Sequence, residues 1–202
     1  MAITVYTIGY TAFSLEDMIN EIKRRKITCL IDVRTTPSSS YYTDFNKENL
    51  MGKLQSEGIL YRHYATEFGA RQTDKTLYPN GYLDFEKFCK TQAFSGGAEK
   101  IKKGSELGHS FVLMCAEKDP FNCHRCIMVG KGLKDRGFDM QHITSKNTAI
   151  SQEDIEKRLL NEYFPNRNQL SLFSSENISD AERLVLAYKK RNAEIGYKVE
   201  EE

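Results

Sequence analysis

Phe111-Val112-Leu113-Met114-Cys115-Ala116-Glu117-Lys118-Asp119-Pro120-Phe121-Asn122-Cys123-His124-Arg125 is the stretch whose reading decides the fold. From His109 to Cys115 it is short and nearly continuously apolar. That pattern predicts a strand buried on both faces, as in a parallel sheet. It breaks into a polar loop, and a helix is expected from about Cys123, carrying Ile127, Val129 and Leu133 until Gly137.

The same grammar repeats on either side. Ile3 to Ile8 is β-branched and aromatic and stops at Gly9, a strand and a turn. Ser14, with Asp17 three residues on, marks a helix start, and Leu15, Met18, Ile19 and Ile22 give it one apolar face. Thr28 to Arg34 is a second strand, Asn46 opens a helix over 47–57, and Ile59 to Tyr64 is a third strand. The segment 65–82 reads as a long loop. Helical pieces follow at 83–89 and about 95–103, and Met140 to Ile143 closes the core as a last strand. Alternating strands and helices predict an α/β fold, a mainly parallel sheet with helices on both faces. Residues 1–145 form that domain. Residues 146–202 form a helical C-terminal extension, with a charged helix over 151–163, an amphipathic helix over 180–194 that contains Leu184, Leu186 and Tyr188, and final residues that fray.

Composition narrows the class. A formal net charge of +1 excludes a globally basic nucleic-acid binder, so any basic surface is local. No apolar run approaches the ~20 residues of a membrane span, and Met1 to Tyr10 lacks the pattern of a signal peptide. No membrane association and a cytoplasmic location are the expectations. Five cysteines without repeated spacing fit free thiols in a reducing compartment.

Ligands of parallel sheets bind at the carboxyl ends of the strands. Here those ends carry Gly9, the pair Asp32 and Arg34, and Cys115. Asp32 and Arg34 are two apart and share one face of their strand, either as an ion pair or as a grip on a ligand. The loop after Cys115 concentrates Glu117, Asp119, Cys123, His124, Arg125 and Cys126, next to the positive end of a helix. Such a setting suits an anion or a thiolate of lowered pKa, and Arg125 adds a bidentate donor. Three readings of the cysteines stay open. Cys115 or Cys123 is a catalytic thiolate activated by His124 or Arg125. Alternatively Cys115, Cys123, His124 and Cys126 hold a metal, although only Cys123 to Cys126 has paired spacing. Or the cysteines are small buried hydrophobes, the reading adopted for Cys29 and Cys89. No metal is assigned from the sequence, and the cofactor is left unknown.

Thr7-Ile8-Gly9-Tyr10-Thr11, Leu30-Ile31-Asp32-Val33-Arg34 with Pro37, and Leu113 to Pro120 with Cys123-His124-Arg125 together resemble the DUF488 family over roughly residues 3 to 145. The resemblance implies an α/β fold and a site, with no defined activity. It places Gly9, Tyr10 and Thr11 at the site, in a turn where family members often carry His instead of Tyr10. It also matches Gly69-Ala70-Arg71 to a Gly-Gly-Arg stretch, keeping Arg71. The Asp32-Val33-Arg34 strand and the Cys-led loop also look like rhodanese and cysteine phosphatase sites. There, however, an Arg follows the Cys by about six residues, whereas Arg125 lies ten after Cys115 and two after Cys123.

Gln169-Leu170-Ser171-Leu172-Phe173 resembles the peptide by which bacterial replication and repair proteins dock on the DNA sliding clamp. Leu170, Leu172 and Phe173 would be the anchors, with Gln169 as the polar contact. The resulting expectation is an enzyme acting on a phosphorylated, nucleotide or nucleic-acid substrate in DNA repair or defence. Asp32, Glu117, Cys115, Cys123 and His124 would be the catalytic candidates, and Gly9, Tyr10, Thr11, Arg34, Arg71 and Arg125 the substrate-binding ones. The alternatives are a non-catalytic DNA-associated adaptor and a thiol-based sulfurtransferase or phosphatase.

Overall fold

Six strands form one sheet in the order β3-β2-β4-β1-β5-β6. The computed structural model of the chain describes residues 2–167 and 178–199. The strands are β1 (Thr4–Gly9), β2 (Cys29–Asp32), β3 (Leu60–His63), β4 (Phe111–Cys115), β5 (Asp139–Ser145) and β6 (Thr148–Ser151). All neighbouring pairs are parallel except β5 with β6. The expected last strand is therefore followed by one more, reached through a turn at Asn147 with positive φ.

Alternation along the strands builds two cores, one on each face. On one face Ile8, Leu30, Val112, Met114 and Ile143 pack beneath α1 (Leu15–Arg24) and α2 (Lys47–Ser56). On the other, Val5, Ile31, Val33, Leu113 and Cys115 meet the remaining helices. These include α5 (Gln92–Glu106), α7 (Gln152–Tyr163) and α8 (Asp180–Ile195). Helices thus cover both faces, as the alternating pattern requires.

The caps follow the local chemistry. Ser14 accepts from the Asp17 amide, and Ser151 with Asp154 closes a reciprocal capping box on α7. Asn46 precedes α2 as expected but does not cap it; its Oδ1 accepts from Ser39 N at 2.6 Å. The segment 65–82 is not one loop. It holds α3 (Ala65–Phe68) and a 3₁₀ turn, Lys75–Leu77, because Phe68 and Leu77 both reach the core. The pieces expected at 83–89 and 95–103 are α4 (Phe85–Cys89) and α5.

The helix after the central loop is wider than an α-helix. Arg125–Gly130 is a π-helical stretch, wholly buried, that runs into α6 (Lys131–Lys134). Such widened turns gather at functional sites. On α8, Leu184, Ala187 and Tyr188 reach the core, but Leu186 is exposed. Fraying was expected of the final residues; up to Val199 the described chain is tied down. Leu83 N donates to Tyr197 O and Val199 N to Gly81 O, an antiparallel clasp that reaches Val199.

Candidate functional site

Register brings the site together. On the central strand Cys115 lies opposite Gly9 of β1, and Met114 opposite Asp32 of β2. The ends of three strands therefore converge where the chain leaves the sheet, and a cleft of about 550 Å³ opens there. Arg34, Tyr10, Arg71, Cys115, Glu117 and His124 line it, with the Thr35–Ser38 turn and the C-terminal Tyr197.

Gly9 makes the approach possible. A Cβ there would sit 1.9 Å from the Glu117 carbonyl oxygen. Next to it, Thr11 donates from N and from Oγ1 (2.7 Å) to the Ala116 carbonyl. Gly9 and Thr11, expected at the substrate, instead clamp the loop that carries Glu117, and neither lines the cleft. Tyr10 does line it. Its ring stacks on Phe45 with centroids 4.6 Å apart, and Arg34 lies 5.1 Å above its centroid.

Asp32 is fully buried and its oxygens are spent. They accept from Arg34 N, Nε and Nη2, the last at 2.6 Å, and from Tyr61 OH at 2.9 Å. Asp32, expected as an acid–base group, is thus hydrogen-bonded to Arg34 and Tyr61 and is absent from the cleft lining. Arg34 itself is 6% exposed, and its Nη2 also donates to Phe45 O. Among the described residues its Nη1 has no hydrogen-bond partner. An unpaired buried guanidinium donor beside a cleft is costly unless a ligand takes it. Arg71 is an exposed residue of the lining, stacked on Tyr197 at 4.5 Å, with its backbone N donating to Thr35 Oγ1.

Arg125 departs from expectation. It is 0% exposed and absent from the cleft lining. Its guanidinium donates to Thr7 Oγ1 and to the Glu117 and Lys118 carbonyls. Two residues past Cys123, inside a buried helical turn, its side chain points back under the loop. It braces the loop and supplies a buried positive charge; it does not contact a guest in the cleft. The backbone amides of Phe121, Asn122 and Cys123 are likewise bonded within the loop.

What the loop does present is a compact donor cluster. Cys115 Sγ and Cys123 Sγ lie 3.0 and 2.8 Å from Glu117 Oε2, and 3.7 and 4.0 Å from His124 Nδ1. Cys115, Cys123 and His124 are buried, whereas Glu117 is an exposed residue whose carboxylate turns inward onto the thiols. His124 Nε2 donates to Val33 O at 3.3 Å, which directs Nδ1 at the sulfurs. Cys126, the further ligand weighed from spacing, turns away to His142 and Gln152. Burial opposes charge on Cys123, but the Cys115 thiol, Arg125 and His124 together hold it well below the ordinary thiol range. Cys115 is held up by its hydrogen bond to Cys123 and by burial. Burial, with Cys123 beside it, raises Glu117.

Sequence reasoning missed Tyr197, Thr35, Thr36, Ser38 and Asn122 as cleft residues. The Thr35–Ser38 turn follows directly on Arg34 and was within reach of a strand-end argument. Tyr197 had no local signal, because it arrives from the far end of the chain. Among the described residues no helix is long and apolar enough to cross a membrane. Comparison with curated proteins and comparison with solved structures each return no match. The family described as a domain of unknown function, DUF488, matches residues 14–130, from α1 through the donor cluster to the end of the π-helical stretch. With more than half its length matched, including the loop that builds this site, the chain belongs to the DUF488 family.

Proposed function

We propose that this protein is an enzyme acting on an anionic substrate, a phosphorylated, nucleotide or nucleic-acid molecule, held in the cleft at the carboxyl edge of the sheet. The observation that carries the reading is the orphaned Arg34 Nη1, on a side chain that lines the same cleft as Cys115, Glu117 and His124. Arg34 and Arg71, both in the cleft lining, hold the anion. The Cys115–Glu117–Cys123–His124 cluster supplies the acid–base or electrophilic chemistry. Tyr10 fills the place beneath Arg34 and keeps its plane fixed.

The test is turnover and binding with a panel of nucleotides, phosphomonoesters and short DNA. Glu117→Ala and Arg71→Ala each remove an exposed cleft group, so neither threatens the core. Loss of turnover in the first and weakened binding in the second are expected. Undiminished turnover in both removes these roles. In the non-catalytic adaptor reading, the wild-type chain would bind such a ligand and turn none over.

The linear motif 169–173 lies outside the described residues. Its match at all five positions to the sliding-clamp peptide supports placing the enzyme at replicating or repaired DNA, where docking raises local concentration without a basic surface. Capture by purified clamp protein should be lost when Leu172 and Phe173 are changed to Ala. Capture that survives the change excludes this docking mode.

A further inference from the structure

We infer that Cys115, Glu117, Cys123 and His124 form a binding site for one divalent transition-metal ion, of the Zn²⁺ or Fe²⁺ class. This deepens the reading of the cleft given above and rests on it for the metal's use, though not for its binding.

Four donor atoms of three kinds, two sulfurs, one imidazole nitrogen and one carboxylate oxygen, all lie within 4.8 Å of one another. With metal–sulfur bonds of about 2.3 Å and metal–nitrogen or –oxygen bonds of about 2.0 Å, the edges of a tetrahedral site are about 3.3–3.8 Å. The sulfur-to-imidazole separations of 3.7 and 4.0 Å bracket the upper end of that range, and the sulfur-to-carboxylate separations of 3.0 and 2.8 Å must open by about half an ångström. Two thiolates, an imidazole and a carboxylate suit a borderline-soft ion and disfavour Mg²⁺ or Ca²⁺.

Two independent features prepare the site. The first is the Val33 carbonyl, which takes the Nε2 proton of His124 and leaves the Nδ1 lone pair facing the sulfurs. A backbone acceptor on the far ring nitrogen is the usual partner of a metal-bound histidine. The second is Arg125. Among the described residues its donors meet only the Thr7 hydroxyl and two carbonyls, so a fully buried guanidinium lacks a carboxylate within ion-pair distance. A buried charge requires compensation nearby. Two thiolates and a carboxylate carry three negative charges. A divalent ion together with Arg125 supplies three positive ones, and the buried assembly is neutral.

On binding, each sulfur forms a bond to the metal through its thiolate lone pair, any S–H bond it carries is broken, and that proton passes to the buffer. Glu117 lines the cleft and is the one exposed member of the four. Its withdrawal would open a coordination position towards a substrate oxygen between Arg34 and Arg71. Cys115, Cys123 and His124 would remain as three fixed ligands.

The experiment uses the full chain, reduced, stripped by chelator and titrated anaerobically with Co²⁺. A thiolate-to-cobalt charge-transfer band and tetrahedral d–d bands are expected, saturating at about one ion per chain and bleached by Zn²⁺. Cys123→Ser should roughly halve the charge-transfer intensity. Glu117→Gln, an exposed change, should alter the d–d envelope and weaken binding about tenfold or more. Cys126→Ala should leave the spectrum as it was, with circular dichroism reporting the fold of each variant. A wild-type spectrum without charge transfer, or one abolished by Cys126→Ala in a folded protein, overturns the site. Titration of the same samples with inorganic phosphate separates the two claims. Phosphate binding that depends on Arg71 while cobalt fails to bind leaves the anion reading standing alone. Cobalt binding without any Arg71-dependent phosphate binding leaves only the metal site.

Discussion

Single residues carry most of the burden at this site, and their roles divide by where their hydrogen bonds go. Asp32 is an acceptor hub for Arg34, so its loss strands a buried guanidinium. Asp32→Ala should destabilise the fold by about 3–5 kcal/mol, the usual consequence of removing one partner of a buried pair. Denaturant titration would check it, and a change within surface-mutation range would show that the pair is not buried as described. Gly9→Ala forces a methyl group onto the Glu117 carbonyl. Overpacking of that kind costs about 1–3 kcal/mol. Since the loop must shift, turnover should fall by more than the loss of stability accounts for. Normal turnover in a Gly9→Ala protein would dissociate the loop's position from the chemistry. His142 shows the same logic away from the cleft. Its Nδ1 accepts from Thr7 Oγ1, and its Nε2 donates to Gln152 Oε1, so the neutral ring is specified on both sides. Burial depresses it from 6.5 to about 4. Between those values the unfolded chain takes up a proton that the native chain does not. Stability is therefore complete above about pH 6.5 and falls as the pH drops towards 4. The urea midpoint should follow that window in the wild type and lose the dependence in His142→Gln.

At the scale of elements, the strands and helices were legible because each satisfied a local rule. β4 is a continuous apolar run, α1 carries a Ser14 cap and one apolar face, and α7 a capping box. What was illegible depended on distant partners. β6 is short and half-exposed, and exists because β5 offers it an edge. α3 and the 3₁₀ turn at 75–77 form within an expected loop because Phe68 and Leu77 have core to fill. The π-helical stretch has no sequence signature; its buried Arg125 must reach back beneath the loop. The same distinction applies to the site. The strand-end rule found Arg34, Cys115, Glu117 and His124 in one cleft. It did not reveal that Asp32 and Arg125 are bonded within the protein and stand outside the cleft lining, because spacing does not show which groups are already paired. The C-terminal clasp is a case of its own. Tyr197 stacks on Arg71 and its carbonyl holds Leu83. Tyr197→Ala should loosen Arg71 and weaken anion binding about two- to tenfold, with little change in folding midpoint, since one exposed cation–π contact is worth about 0.5–1 kcal/mol. Unchanged affinity would mean that the C-terminal wall does not shape the cleft.

For the whole molecule, the decisive fact is a strand order that sets β4 between β1 and β2. That arrangement brings a glycine turn, an anchored arginine and a two-cysteine loop to one edge of the sheet. Helices on both faces then leave that edge as the place where polar groups collect. α8 and the residues after it complete the wall, so the C-terminal segment, expected as an extension of the domain, contributes Ile195 and Tyr197 to the cleft. The account rests on an anion entering there. The most direct measurement is a crystal of the full chain soaked in tungstate, a heavy mimic of phosphate, with the anomalous signal used to locate it. The account predicts a tungstate bonded to Arg34 Nη1 and facing Arg71, above the Cys115–Glu117–His124 floor. Anomalous density confined to surface lysines, with the cleft empty at saturating tungstate, would contradict it.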